Sequence, residues 1–195
     1  MKNKQDNTVY LSVDIEADGP IPGVYSMLSI GAAAFRPNAN TAKGYVELGT
    51  FKRNLKPLPD AKQSPDTMQW WSTQPEAWKA ATEGAVDAVD AMKDFVAWVK
   101  TLPGPVVFCG YPVAYDFQYV YHYVIRFTGF PSPFGFQGLD IKTFAWGMLG
   151  GAYKDAAKRN MPKRWFKNVP PHTHDALDDA IGQGILFMNM LNDNG

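Results

Sequence analysis

The segment from Thr8 to Glu16 alternates apolar and polar residues, and this alternation strongly limits what the chain can fold into. A period of two is typical of a β-strand with one buried face, so the pattern predicts a strand. The polar positions of the segment end in Asp14 and Glu16, which therefore lie side by side on one face. Two neighbouring carboxylates repel each other unless a cation lies between them, so the end of this strand is a candidate metal site.

Three more residues, far apart in the sequence, can complete such a site. Asp116 follows the short apolar run 106–109 and lies where a helix is predicted to begin. His174 and Asp179 lie at the start of a terminal helix, which two prolines separate from the preceding residues. Mg²⁺ and Mn²⁺ prefer carboxylate oxygens, and a neutral histidine can accept the proton of an attacking water. These residues together indicate phosphodiester hydrolysis with paired divalent cations.

Each of these residues also has a structural interpretation. Asp116 could be only a helix N-cap, and His174 could be a surface residue ahead of its helix. Helical spacing alone places Asp178, four residues after His174, nearer to that histidine than Asp179. His172 is the weaker histidine candidate. The residues by themselves leave the choice between Asp178 and Asp179 open.

Periodicity and turn residues predict the remaining elements of an α/β fold. Apolar residues spaced by three and four over 85–101 predict an amphipathic helix, and residues 36–40 predict a turn between two strands. Asp140, at the end of the last predicted strand, is interpreted as the cap of the helix that follows. The other predicted strands are 24–35, 44–55, 106–109 and 136–140, and the other predicted helices are 141–149, one beginning near Asp116 and one beginning near Leu177.

Composition bounds the class of protein. A chain of 195 residues with 46% hydrophobic content can bury a large core, and no linker-like stretch divides it, so we expect one domain over 1–195 with a flexible terminus at 1–7. The apolar stretch Met27–Phe35 is too short to cross a bilayer, and the first residues lack the apolar core of a signal peptide. We therefore expect a cytoplasmic protein without membrane contact. The single cysteine, Cys109, excludes an intramolecular disulfide and a cysteine-rich zinc site.

The order and form of the acidic motifs resemble the DEDD exonuclease superfamily, in its histidine-containing branch. The first motif is Leu11-Ser-Val-Asp-Ile-Glu16, and His174-Asp-Ala-Leu-Asp-Asp179 matches that branch's His-x-Ala-x-x-Asp form. The resemblance spans residues 9–190. Within it, residues 64–77, with two adjacent tryptophans, look like a segment of the group that joins ribonuclease AS-like proteins and phage exonuclease A. Adjacent aromatic residues on one helix cannot share a face, so at least one tryptophan is predicted to lie in the core.

The resemblance implies a ribonuclease H-like α/β fold, in which a five-stranded mixed sheet is antiparallel over its first three strands, then parallel, and is flanked by helices. It also implies a 3′–5′ exonuclease that releases nucleoside 5′-monophosphates from single-stranded RNA or DNA ends, with two Mg²⁺ or Mn²⁺ ions as cofactors. The implied metal ligands and catalytic carboxylates are Asp14, Glu16, Asp116 and, through the family's five-residue spacing, Asp179, with His174 as the general base. An endonuclease of the ribonuclease H type and a non-catalytic nucleic-acid-binding module are the alternatives, and a homodimer is left open.

Substrate contacts are predicted at two places near the acidic motifs. In similar exonucleases, the segment after the first motif contacts the terminal nucleotide, which here implies Ser26, Met27 and Leu28. Tyr115 and Phe117 are predicted to line the substrate groove, because aromatic rings can stack on bases.

A third substrate contact is predicted in the stretch 153–167, where basic residues are concentrated although the chain has zero net charge. Lys163 and Arg164 are the members predicted to contact phosphates, with a merely solvated loop as the alternative. The basic residues are Lys154, Lys158, Arg159, Lys163, Arg164 and Lys167. Zero net charge overall favours a small pocket for the last few nucleotides over a long duplex-binding surface.

Overall fold

The computed structural model describes residues 7–129 and 131–193, which form one mixed sheet of five strands with helices on both faces. The strands are β1 Val9–Ala17, β2 Met27–Pro37, β3 Tyr45–Asn54, β4 Val106–Gly110 and β5 Gly138–Asp140. Their order across the sheet is β3-β2-β1-β4-β5, so β1 is the central strand. β2 is antiparallel to β1 and to β3, whereas β4 is parallel to β1 and to β5. The predicted ribonuclease H-like sheet is therefore confirmed. The predicted flexible terminus, 1–7, lies outside the described residues except for Asn7.

The helices connect the strands and extend the chain after the sheet is complete. Their bounds are α1 Pro65–Ser72, α2 Pro75–Thr82, α3 Ala88–Val99, α4 Val113–Thr128, α5 Ile141–Leu149 and α6 Ala176–Asp193, with short 3₁₀ turns at Tyr153–Ala156, Lys158–Asn160 and Lys163–Phe166. The Asp140 side chain accepts a hydrogen bond from the Thr143 backbone N–H at 2.6 Å and so caps α5, as predicted. None of the helices described is long and apolar enough to cross a membrane.

The alternation in β1 divides its side chains between two cores. The odd-numbered residues from Val9 to Ile15 are buried against α3 and α4, where Phe95 and Tyr119 are fully covered. Tyr10 points the other way and packs against Phe187 of α6, with ring centroids 5.2 Å apart. Asp14 and Glu16 share this second face, so the strand directs both carboxylates toward the layer that contains α6.

Two glycines allow α6 to approach the sheet closely. A Cβ atom at Gly31 of β2 would overlap the backbone of Ala176 and Leu177, where α6 begins. A Cβ atom at Gly184 of α6 would overlap the ring of Phe35. The missing side chains at Gly31 and Gly184 therefore let the first turns of α6 lie directly on the sheet, beside the carboxylates of β1.

Two strands differ from the prediction at their N-terminal ends. β2 begins at Met27 and not at Val24, because residues 18–25 form a loop whose prolines cannot donate to a strand ladder. The Tyr119 hydroxyl donates to the Gly19 carbonyl at 2.6 Å and helps to hold this loop. β5 begins at Gly138 and not at Phe136, where the sequence predicts its start, and Phe136 is 72% exposed.

Candidate active site

The carboxylates predicted from the sequence meet at the end of the central strand. One oxygen each from Asp14 and Glu16 of β1 and from Asp179 of α6 lies within 4.8 Å of the others. Asp116, in the first turn of α4, accepts a hydrogen bond from the Ile15 backbone N–H at 3.1 Å. Because Ile15 stands between the two acidic residues of β1, this bond fixes the Asp116 carboxylate beside them. Asp116 follows the N-cap residue of α4, Pro112, so it is not the cap of that helix.

The structure places Asp179, and not Asp178, in this cluster. Asp179 is 5% exposed, whereas Asp178 is exposed to solvent and accepts from the Thr173 hydroxyl at 3.2 Å. Helical spacing from His174 favoured Asp178, but His174 lies before α6 and has a left-handed backbone, with φ of 57°. The helical rule therefore does not apply across this join, and the family's five-residue spacing does.

Neighbouring side chains hold two of the carboxylates in place. The Asp14 carboxylate accepts from Nε2 of Gln183 at 2.6 Å. Oδ1 of Asp179 accepts from the Thr173 backbone N–H at 3.2 Å and lies 2.7 Å from Nδ1 of His172. Oδ2 of Asp179 is buried and has no hydrogen-bond partner among the described residues. A buried carboxylate oxygen rarely goes without a partner, so this donor set fits a divalent cation.

Ionising these buried and closely spaced carboxylates costs free energy. Burial, followed by the neighbouring Asp116 and Asp179, raises the pKa of Asp14 well above its ordinary value. Burial and then Asp14 raise the pKa of Glu16 to about 9, and burial raises the pKa of Asp116 to about 8. Carboxylates in this state are stabilised by cations, because a nearby positive charge favours their ionised form.

His174 lies next to this cluster and shares one of its members. Nitrogen atoms of His172 and His174 and an oxygen of Asp179 also lie within 4.8 Å of one another, so Asp179 links the histidines to the other carboxylates. The His174 ring makes an edge contact with Trp70 at 5.1 Å between centroids. Burial and then His172 lower the pKa of His174, which keeps its imidazole neutral near pH 7.

The adjacent tryptophans divide between core and surface, as predicted. Trp71 is buried, and its indole N–H donates to the Ala17 carbonyl at 3.0 Å. Trp70 is exposed and lies against His174. α1 thus presents one large aromatic ring at the edge of the site.

The residues predicted to contact the terminal nucleotide are not at the surface. Ser26, Met27 and Leu28 are all fully buried. The backbone N–H of Met27 donates to the Tyr123 hydroxyl at 2.7 Å, and Leu28 packs in the cluster that contains Trp71. The structure therefore offers none of these three side chains to a substrate, and their predicted contact with the nucleotide has no support from it.

The two aromatic residues predicted for the groove have different surroundings. Tyr115 is partly buried and donates to the Gly19 carbonyl at 3.2 Å, and burial followed by Glu16 raises its pKa to about 12. Tyr115 therefore lies beside the carboxylates. Phe117 is partly buried, lies against the main core, and packs edge-on against Phe108 at 5.2 Å between centroids.

The basic stretch also divides into two parts. Lys163 and Arg164 are exposed, and Arg164 forms two hydrogen bonds, at 2.7 and 2.8 Å, with Asp193 at the end of α6. Lys158 instead lines a cavity of about 240 Å³ together with Asp179 and Gln183. The member of this stretch that lies at the site is therefore Lys158, and not the two residues singled out from the sequence.

Sequence reasoning missed three residues that adjoin the carboxylates. Gln183 follows Asp179 by one helical turn, and this i, i+4 spacing was the available signal. His172, the weaker histidine candidate from the sequence, contacts Asp179 directly. Lys158 was visible only as one of several basic residues, because nothing local distinguishes the basic residue that points inward.

A ribonuclease H-like sheet whose central strand ends in converging carboxylates beside a histidine defines the class of DEDDh 3′–5′ exonucleases. Comparison with known families confirms this class. The model of the 3′–5′ exoribonuclease Rv2179c-like domain matches residues 9–191, so the chain belongs to that family. It is a 3′–5′ exonuclease, as predicted, and thus a hydrolase of nucleic acids.

Individual relatives agree with this assignment. The chain is 34% identical over 191 residues to the 3′-5′ DNA exonuclease Cap18 of Escherichia coli, covering 94% of this chain and 92% of that protein. Its fold is similar to the nuclease domain of 3′hExo, a DEDDh family member bound to rAMP, with a TM-score of 0.68, 13% identity, and coverage of 95% and 92% of the two chains. It is also similar to Pop2p of S. pombe in a form that binds Mg²⁺ and Mn²⁺, with a TM-score of 0.63, 15% identity, and coverage of 93% and 82%.

A further similarity is to E. coli exonuclease I in complex with a dT13 oligonucleotide, with a TM-score of 0.63 and 16% identity. This chain covers 41% of exonuclease I, and 95% of this chain is matched. At these identities, the similarity to solved structures concerns the fold.

Proposed function

We propose that this exonuclease removes the 3′-terminal nucleotide of a single strand as a nucleoside 5′-monophosphate, with two Mg²⁺ or Mn²⁺ ions held by Asp14, Glu16, Asp116 and Asp179. The observation that carries the proposal is the convergence of Asp14, Glu16 and Asp179 within 4.8 Å, and Asp179 also has a buried oxygen without a hydrogen-bond partner among the described residues. The Mg²⁺ and Mn²⁺ bound by Pop2p, which has the same fold, support divalent cations as the cofactors.

The chain's own residues would act in two ways, beside the bound cations. Asp14, held by Gln183, and Asp116, held by the Ile15 backbone, keep their carboxylates aimed at one region. Bound cations supply positive charge that stabilises the negative charge developing on the phosphate oxygens. His174 accepts the proton of the attacking water, because its lowered pKa keeps it neutral near pH 7. The water oxygen forms a bond to phosphorus as the bond to the leaving 3′ oxygen breaks, and the leaving oxygen takes up a proton from solvent.

Single-stranded ends are the proposed substrates. Exonuclease I and 3′hExo, which share the fold, have been found with an oligonucleotide and with a mononucleotide. The family description names RNA, whereas the relative at 34% identity acts on DNA. Which sugar is preferred depends on how the terminal pocket treats a 2′-hydroxyl, and experiment decides it. The cytoplasmic location stays a prediction, and the homodimer stays open.

The test is a comparison of matched 5′-labelled strands, one all-RNA, one all-DNA and one DNA with a single 3′-terminal ribonucleotide. With Mg²⁺ we expect each cleaved strand to shorten from its 3′ end by one nucleotide at a time, releasing 5′-monophosphates, and chelator to stop this. The strand with one ribonucleotide isolates the 2′-hydroxyl of the terminal sugar. Internal cuts, or shortening that continues in chelator, would contradict the proposal.

A further inference from the structure

Lys158 enters the active site from a segment that belongs to neither the sheet nor α6. It begins a short 3₁₀ turn, and its backbone N–H donates to the Tyr111 hydroxyl at 3.1 Å. Its ammonium lies 4.6 Å from the centroid of the same Tyr111 ring. Tyr111 directly follows β4, which is parallel to β1. The residue that contacts Lys158 therefore lies at the same end of the sheet as the carboxylates of β1. The tyrosine therefore holds both the backbone and the side chain of Lys158.

The ammonium lies within reach of the carboxylates but is not bonded to them. Lys158 lines the cavity beside α6 together with Asp179, Gln183 and Phe166. Among the described residues, no carboxylate forms an ion pair with it. Burial lowers its pKa, while Asp14, Asp179 and Asp116 act to keep it protonated. A partly buried cation that is not paired with a carboxylate is available to an anion that enters the cavity.

With metal ions and substrate bound, the charge balance of the site favours a further cation such as Lys158. When ionised, Asp14, Glu16, Asp116 and Asp179 carry four negative charges, which two divalent cations balance. A bound phosphodiester adds one more negative charge, and its transition state spreads further charge over the phosphate oxygens. A positive charge beyond the metal ions is then favourable, and the cavity lining supplies it through Lys158, while His172 in the same lining contacts Asp179.

We propose that the Lys158 ammonium binds the phosphate of the 3′-terminal linkage, the one that is cleaved, from the cavity lined by Phe166 and Gln183. This inference rests on the proposed function, because it assigns Lys158 to the substrate of the same site. It makes Lys158 a substrate-binding residue of the reaction, whereas Lys163 and Arg164 are exposed and do not line that cavity.

The test removes the charge on either side of the proposed contact. A fluorescent single strand with a normal terminal phosphodiester is compared with the same strand carrying a neutral methylphosphonate at that linkage. Binding is measured by anisotropy in Ca²⁺, with the strands checked as intact afterwards. The proteins are the wild type, Lys158→Met, Lys158→Gln, Lys158→Arg and the control Lys93→Met, which removes an exposed lysine from α3 on the other face of the sheet.

The wild type and Lys93→Met are expected to bind the phosphodiester more tightly than the methylphosphonate, because Lys158 and the bound cations both interact with the phosphate charge. In Lys158→Met and Lys158→Gln this preference should shrink by about 10- to 100-fold, the usual effect of one charge-assisted hydrogen bond, and the cations should supply what remains. In Lys158→Arg the preference should shrink less. The slope of log Kd against log salt should become less steep by about 0.7 in Lys158→Met, which corresponds to one phosphate contact on a single strand.

A full preference for the phosphodiester in both Lys158→Met and Lys158→Gln would overturn the inference. So would a loss of preference in Lys93→Met as well, since the effect would then not be local. The proposed function is tested separately, by whether the wild type shortens the normal strand from its 3′ end in Mg²⁺.

Discussion

His174 and His172 lie close together, with ring centroids 4.2 Å apart, yet they have different neighbours. His172 contacts Asp179 through Nδ1, so one of its nitrogens is engaged with a proposed metal ligand. His174 has its ring against Trp70 and a lowered pKa, so its imidazole is neutral near pH 7 and can accept a proton. This contrast supports the proposal that His174, and not His172, accepts the proton.

Replacing His174 with Ala should lower kcat by about 10²- to 10⁴-fold, the usual contribution of general base catalysis. His172→Ala should lower kcat less, because it removes a contact to Asp179 without removing the base. The measurement is kcat at saturating Mg²⁺ and substrate for both variants. A larger loss in His172→Ala than in His174→Ala would reverse the assignment.

At the scale of single residues, the sequence predicts what local periodicity determines. Asp14 and Glu16 could be placed on one face because strand alternation is a local property. Gln183 could not be placed against Asp14, because their contact joins residues 169 positions apart. The burial of Ser26, Met27 and Leu28 could not be predicted from the local sequence either, because the covering residues Tyr123 and Trp71 come from distant helices.

The packing contact between β2 and the start of α6 determines whether Asp179 reaches β1. Gly31 lies under the first residues of α6, where any side chain would meet the helix backbone. Gly31→Ala should therefore displace the start of α6, lower stability by about 1–3 kcal/mol as overpacking does, and reduce turnover by moving Asp179. Thermal unfolding and kcat measure the two effects.

Gly147→Ala is the matched control for this substitution. Gly147 lies within α5, and a Cβ atom there would meet nothing within 4 Å. It should raise stability by about 0.5–1 kcal/mol through helix propensity and leave turnover unchanged. If Gly31→Ala behaved like Gly147→Ala, the close approach would not position the site.

At the scale of elements, the helices with an evident apolar period or clear boundaries were predictable, and α1 and α2 were not. The amphipathic helix predicted over 85–101 corresponds to α3, Ala88–Val99, and the helix predicted at 141–149 has the observed bounds of α5. α1 and α2 have eight residues each, too few for an apolar period to be evident, and their positions depend on contacts with β1 and β2. The choice of Asp179 over Asp178 also lies at this scale, since it depends on where α6 begins.

At the scale of the whole molecule, the four clustered carboxylates lower the stability of the metal-free protein, and the size of this effect depends on pH. The pKa of Glu16 rises from 4.5 to about 9 on folding, and that of Asp116 from 3.8 to about 8. Between about pH 4 and pH 9, the metal-free folded protein therefore binds more protons than the unfolded chain, so its stability falls as pH rises. Divalent cations should offset this loss.

The increase in Tm on adding Mg²⁺ should accordingly be larger at pH 8 than at pH 5.5, by about 4 °C or more, which corresponds to about 1–2 kcal/mol for a chain of this size. Glu16→Gln removes one charge, so in chelator at pH 8 it should melt above the wild type and gain less from Mg²⁺. Calorimetry in chelator and in Mg²⁺ measures this. An equal gain at both pH values would show that the carboxylates do not bind the cation.

The measurement that tests the central claim most directly is a time course on a 5′-labelled single strand, resolved to single nucleotides, for the wild type, Asp179→Asn and Asp178→Asn. These variants change adjacent residues in the same way, but only Asp179 lies in the carboxylate cluster. In Mg²⁺, the wild type and Asp178→Asn should shorten the strand from its 3′ end, and Asp179→Asn should leave it intact. Loss of shortening in Asp178→Asn with activity kept in Asp179→Asn would contradict the site described above.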